Sequence, residues 1–168
     1  MRQLLIILEG EPRGKGRPRF SARGGIVRTF TDEKTADYER EIQLEVFRTM
    51  GGQALVESVT EFKKRPMVES FEISGGQPAF TGPVEVEMEI RHPVRASWNK
   101  AKRAGALEGS IAPTVKPDPD NVLKIFYDAF NGCVWGDDTQ VIKGSFSRCF
   151  SESPGVTVIV RALDLRSA

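Results

Sequence analysis

The residues best suited to chemistry lie in two short stretches. Lys116-Pro117-Asp118-Pro119-Asp120-Asn121 is followed by Lys124, and Trp135-Gly136-Asp137-Asp138 comes after a glycine turn. Asp118 and Asp120 are two residues apart in an extended lead-in to a helix, so both carboxylates can point to one side. A tight return after Gly132 could bring Asp137 or Asp138 beside them. Two carboxylates about 4 Å apart repel by roughly 4 kcal/mol at an effective dielectric near 20, so three together need a shared proton or a hard cation. Oxygen ligands without His or Cys select Mg²⁺ or Mn²⁺. Such an ion lowers the pKa of bound water and neutralises charge on a phosphoryl oxygen, while a rim lysine stabilises the transition state; the chemistry is phosphodiester hydrolysis. The same residues also read as capping groups, with Asp118 at N-cap, Pro119 at N1 and Asp120 favouring the helix dipole. Asp137-Asp138 after a glycine equally makes an ordinary turn.

Other chemistries are excluded. A single histidine, His92, rules out a His-rich zinc cluster, and no Gly-x-Ser-x-Gly elbow supports a hydrolase triad. Gly14-Lys15-Gly16 is neither a Walker loop nor a dinucleotide fingerprint. His92 itself, preceding Pro93, reads as a strand-end residue.

The elements that must position these groups follow from periodicity. Residues 3–9 are a short apolar run ended by Gly10 and Pro12, as a buried strand would be. Residues 17–30 predict a basic hairpin turning at 21–25. From Thr31, Tyr38, Ile42, Val46 and Met50 recur at helical spacing until Gly51 and Gly52. Residues 83–91 alternate valines, Met88 and Ile90 with Glu85, Glu87 and Glu89, the pattern of a half-exposed strand. Ser97 is placed to cap a short helix through Leu107. Val122, Ile125, Phe126, Ala129 and Phe130 mark a second main helix over 120–130, and strands close the chain at about 139–149 and 155–163. The order predicts an α+β fold, a mixed β-sheet with two main helices packed on it.

With 168 residues the chain reads as one domain, 1–168, with the weakly patterned 51–82 as an enlarged peripheral connection. Its longest apolar run, 4–8, is too short for a membrane span or a signal-peptide core, so a cytoplasmic location is expected. Cys133 and Cys149 build no disulfide framework. The net charge of +1 hides a segregation. Arg13, Lys15, Arg17, Arg19, Arg23 and Arg28 form one basic island, and Arg91, Arg95, Lys100, Lys102, Arg103 and Lys116 a second. Carboxylates gather elsewhere, as a protein holding phosphates near a metal site requires, although solvated loops would show the same islands.

Taken together and in order, Lys116 through Lys124, Asp128-Ala129-Phe130-Asn131-Gly132 and Trp135 through Val141 resemble the RusA family of Holliday junction resolvases. Gly14 through Phe20 and the stretch from Thr29 to Tyr38 resemble its phage-type branch. The resemblance covers residues 1–50 and 83–163. It implies that Asp118, Asp120 and Asp138 bind Mg²⁺, with Mn²⁺ a possible substitute, and that Lys124 is the catalytic lysine. It also implies a homodimer, of prophage type, that nicks a four-way DNA junction in two symmetry-related strands, water activated by the cation attacking the scissile phosphate. Many members carry a lysine where this chain has Arg148, which keeps the charge but changes the geometry.

On this reading Arg13, Lys15, Arg17, Arg19, Lys100, Lys102, Arg103 and Arg148 are the candidates for tracking the DNA backbone. Phe20 and Trp98 could stack at the branch point or belong to the core. Two alternatives are a non-cleaving DNA-binding accessory protein of phage recombination or replication, and a metal-dependent nucleotide phosphohydrolase. The latter leaves the basic islands unexplained.

Overall fold

The alternation of apolar and acidic residues puts a long strand at the centre of the fold. In the computed structural model, which describes residues 3–16, 19–23, 26–30, 32–50 and 78–163 (19–23 and 26–30 by backbone only), this strand is β4, Val84–Pro93. Val84, Val86, Met88, Ile90 and His92 are buried, while the intervening glutamates face outward. The outward face is laced by cross-strand charge pairs, Glu85 with Lys143 at 2.6 Å and Glu87 with Arg161 at 2.9 Å.

The sheet is ordered β1-β6-β4-β5, with β1 at Gln3–Glu9, β5 at Val141–Ser151 and β6 at Gly155–Ala162. β6 runs antiparallel to both neighbours, pairing Ile6 with Val158 on one side and Val158 with Met88 on the other. β4 and β5 are parallel, with Met88 opposite Phe146 and His92 opposite Phe150. A parallel pair cannot be joined by a hairpin. The crossover spans 94–140 and contains helices α2, Lys100–Leu107, and α3, Pro119–Phe130. α3 therefore runs back along the sheet, its first turn at the end where β4 and β5 finish. A separate hairpin pairs β2, Arg19–Arg23, with β3, Ile26–Phe30.

Helix α1 spans Glu33–Thr49 and packs against α3 on the same sheet face. Tyr38, Ile42 and Val46 from α1 meet Val122, Ile125, Phe126, Ala129 and Phe130 from α3 over the strand valines. Tyr38 and Phe126 cross edge to face at 6.2 Å. Each such fully buried side chain contributes about 1.5–3 kcal/mol from water exclusion.

The expected α+β architecture is observed, with a mixed sheet and the two long helices on it. One cap differs from expectation. Asn99, and not Ser97, caps α2, its side chain accepting from the Lys102 amide at 2.9 Å. The Trp98 amide bonds Arg95 O at 3.1 Å, so Ser97 is used up inside the preceding turn. Among the described residues no helix is long and apolar enough to cross a membrane. The connection at 51–82 lies outside the described residues except for 78–82.

Candidate active site

Asp118 occupies the N-cap position of α3 with extended backbone angles, yet its side chain makes no capping hydrogen bond. Pro119 at N1 has no amide hydrogen, and the amides of Asp120 and Asn121, which an N-cap side chain would serve, receive no bond from Asp118. The Asp118 carboxylate, 48% exposed, is instead paired with the Lys116 ammonium. Asp120 and Lys124 are exposed on the following turns, and the Asp120 carboxylate makes no hydrogen bond or ion pair with a described residue. Asp118 therefore does not cap the helix as its position suggests, while Asp120 sits in the first turn, where the helix dipole favours a carboxylate.

The second acidic pair divides its duties. Asp137 caps a 3₁₀ turn, Asp138–Gln140, and accepts from the Thr139 amide at 2.9 Å. Gln140 completes a capping box: its Oε1 accepts from the Asp137 amide at 3.3 Å and also from Gly136 N at 2.7 Å, and its Nε2 donates to Gly82 O at 2.8 Å. Bonding to Thr139 holds the Asp137 carboxyl below the usual range. Asp138 is exposed, and its carboxylate makes no hydrogen bond or ion pair with a described residue. It lies beside Tyr127, whose phenol is pushed up first by burial and then by the Asp138 charge. Beneath the turn, fully buried Trp135 stacks edge to face on Tyr127 at 5.5 Å and donates through Nε1 to Asn131 Oδ1 at 2.8 Å.

Asp120, Lys124 and Tyr127 follow the i, i+4, i+7 spacing of one helix face, which extends to Asp138. At 1.5 Å rise per residue, Asp120 and Tyr127 stand about 10 Å apart along the axis. Uncommitted carboxylates are suitable donors for a hard divalent cation. Among the described residues, however, no three Asp, Glu, His or Cys side chains converge in a cluster able to hold a metal ion. The return after Gly132 sets Asp138 near Tyr127.

An open cleft of about 730 Å³ lies at the first turns of α1 and α3, lined by Arg13, Lys34 and Lys116 together with Asp32 and Asp118. The N-terminal glycines build its wall. A Cβ on Gly14 would come within 2.8 Å of Asn121 Cβ, and one on Gly16 within 2.8 Å of Thr35 Oγ1. Close approach lets Lys15 N donate to Asn121 O at 2.9 Å and Gly16 N to Thr35 Oγ1 at 3.1 Å. The Lys15 side chain turns inward, bonded to Asp128 and 3.2 Å from Glu39. Burial alone would lower its pKa; the Asp128 bond and the Glu39 charge outweigh this and raise it.

The remaining basic candidates are dispersed. Arg13 is exposed at the cleft. Lys100, Lys102 and Arg103 sit on α2, where Lys102 Nζ lies 4.5 Å from the Trp98 ring and Arg103 pairs with Glu152 at 3.5 Å. Trp98 packs on Phe150 at 5.2 Å, and of Phe20 only the backbone in β2 is described. Arg17 lies outside the described residues, and Arg19 is placed only by its backbone, opposite Phe30. Arg148 points into the protein, toward His92 and the lead-in to α3. Sequence patterning did not single out Tyr127 as a site neighbour or Asp128 as the partner of Lys15; their spacing from Lys124 on one helix was the available signal.

Comparison with known proteins places the chain in a family. The family model described as endodeoxyribonuclease RusA matches residues 9–64 and 72–161. A protein of Bacillus subtilis (strain 168), described as uncharacterized protein YqaN, is 32% identical over 154 residues, covering 90% of this chain and 91% of that protein. The match spans both acidic motifs, the glycine-flanked Lys15 loop, β4, β5 and nearly all of β6, and the chain belongs to the RusA endodeoxyribonuclease family.

Proposed function

We propose that this chain is a divalent-cation-dependent endonuclease that resolves four-way DNA junctions by paired symmetric nicks. The observation that carries the reading is that the acidic motif does not cap its helix. Asp118 stands at the N-cap without a capping bond and pairs with Lys116 at a cleft that Arg13 and Lys34 also line, and Asp120 is uncommitted in the first turn. Folding alone does not require carboxylates to be left this way beside cations.

Asp118 and Asp120, with Asp138 drawn to them when the cation binds, are the residues that would hold Mg²⁺ or Mn²⁺; in the cation-free protein the three do not form one cluster. When bound, such a cation acts as a Lewis acid on water and phosphoryl oxygen. The chain's own groups supply the rest. Lys124, exposed one turn beyond Asp120, is placed to meet negative charge developing on the phosphate. Lys116 neutralises Asp118 in the free protein and can pass to a DNA phosphate when a cation takes its place. Tyr127, held protonated, can donate a hydrogen bond beside Asp138. A two-fold junction nicked in two strands calls for two equivalent sites, and a homodimer provides them.

The test is cleavage of a mobile four-way junction against matched linear duplex in Mg²⁺, by the wild-type chain and Asp120→Asn. Paired nicks by the wild type, with the variant binding the junction but not cutting it, are expected. Binding without cleavage by both proteins in Mg²⁺ and Mn²⁺ would replace the enzyme reading with that of a DNA-binding accessory protein.

A further inference from the structure

Arg148 stands opposite Ile90 in the β4–β5 pair, at the end of the sheet where α3 begins. Its Nε donates to His92 Nε2 at 3.2 Å, and its Nη2 donates to Val115 O at 2.5 Å and to Pro117 O at 3.2 Å. A guanidinium has only donors, so His92 Nε2 must be an acceptor and the ring neutral, with its proton on Nδ1. The ring is 1% exposed and stacks edge to face on Phe150 at 6.5 Å, so it cannot swing away from the arginine. The two carbonyls that Arg148 holds flank Lys116 and immediately precede Asp118.

We propose that Arg148 is a positioning residue that clamps the 115–117 segment to the sheet and so fixes the direction in which Asp118 leaves the helix N-terminus. The inference rests on the nuclease reading above. It departs from the expectation that Arg148 contacts phosphate, because its Nε and Nη2 donors are already directed at internal acceptors. Nothing else described ties Val115 or Pro117 to the strands by hydrogen bonds. A fork is required: one planar group must reach an imidazole and two carbonyls at once, and a lysine ammonium on a flexible stem cannot keep all three in place.

The experiment compares the wild type with Arg148→Lys and Arg148→Met in three measurements. Amide hydrogen exchange of the DNA-free, cation-free protein is expected to become faster by about tenfold over 114–120 in both variants, with β4 and β6 unchanged. Affinity for a four-way junction in EDTA, and its salt dependence, are expected to stay within about twofold, because no phosphate contact is lost. Cleavage in Mg²⁺ is expected to fall by about a hundredfold in kcat with little change in KM, and the lysine is expected not to rescue it. Unchanged exchange over 114–120 in both variants overturns the clamp. Affinity weakened in Arg148→Met, restored in Arg148→Lys and accompanied by a salt slope smaller by about 1 overturns it in favour of a phosphate contact. If the wild-type chain itself cuts no DNA, the nuclease reading fails, and the exchange profile still decides whether the clamp exists.

Discussion

Lys15 is bonded to Asp128, 113 residues further along the chain, and the same ammonium lies 3.2 Å from Glu39. One side chain from the N-terminal loop thus ties α1 to α3 at the wall of the cleft. Both acceptors are mostly buried, Glu39 at 11% and Asp128 at 29% exposure, so the lysine is what allows these helices to bring two carboxylates together. Its neighbours Gly14 and Gly16 have no Cβ to hold the loop away from α3 and α1.

Replacing Lys15 by methionine leaves two poorly solvated carboxylates facing each other. A loss of about 2 kcal/mol is expected, between the values for exposed and fully buried pairs. Urea unfolding should show this, with part of the loss recovered in the double variant Lys15→Met/Asp128→Asn. The salt dependence of junction binding should not change, since the Lys15 charge is spent internally.

Gly14→Ala places a methyl 2.8 Å from Asn121 Cβ and 3.1 Å from Pro117 Cβ. The loop must lift from α3, at a cost of about 1–3 kcal/mol. Thermal denaturation should register the loss, and the Lys15 N to Asn121 O bond should lose amide protection.

Asp137 and Asp138 should separate cleanly on substitution. Asp137→Ala removes the capping interaction with the Thr139 amide and is expected to lower the urea midpoint while leaving cleavage largely intact. Asp138→Asn should leave the urea midpoint nearly unchanged and abolish nicking. The reverse pattern would assign the functional role to Asp137.

Burial, reinforced by the Arg148 charge, lowers the pKa of His92 below its ordinary 6.5. The folded state thus binds fewer protons than the unfolded state in the window just below pH 6.5, so stability falls as pH drops through it. Above that value the contribution is complete. Thermal midpoints measured from pH 8 down to pH 5 should decline below about pH 6.5, and in His92→Gln the decline should be shallower, since glutamine does not titrate.

Much of the fold was legible because local periodicity carries it. The alternation from Val84 to Ile90 and the spacing of Val122, Ile125, Phe126, Ala129 and Phe130 each admit one amphipathic element, and the structure has those elements. The parallel pairing of β4 with β5 was not legible, since it depends on a crossover containing two helices and on contacts far apart in sequence. The cap of α2 moved from Ser97 to Asn99 for a reason of the same kind, the turn closed by Trp98 on Arg95.

The chain by itself determined which residue types were available: carboxylates in two ordered motifs, lysines beside them, and a glycine-flanked Lys15 near the start. Only the tertiary structure decided their duties. Asp118 could cap or pair, and it pairs with Lys116 and makes no capping bond. Asp137 and Asp138 are chemically identical, and the 3₁₀ turn spends one on Thr139 and leaves the other open. Lys15 and Arg148 both read as outward cations, yet both turn inward. A charge is drawn inside only where folding leaves buried acceptors unmet, and those acceptors, Glu39, Asp128, His92 and two loop carbonyls, are brought together by packing across distant parts of the chain.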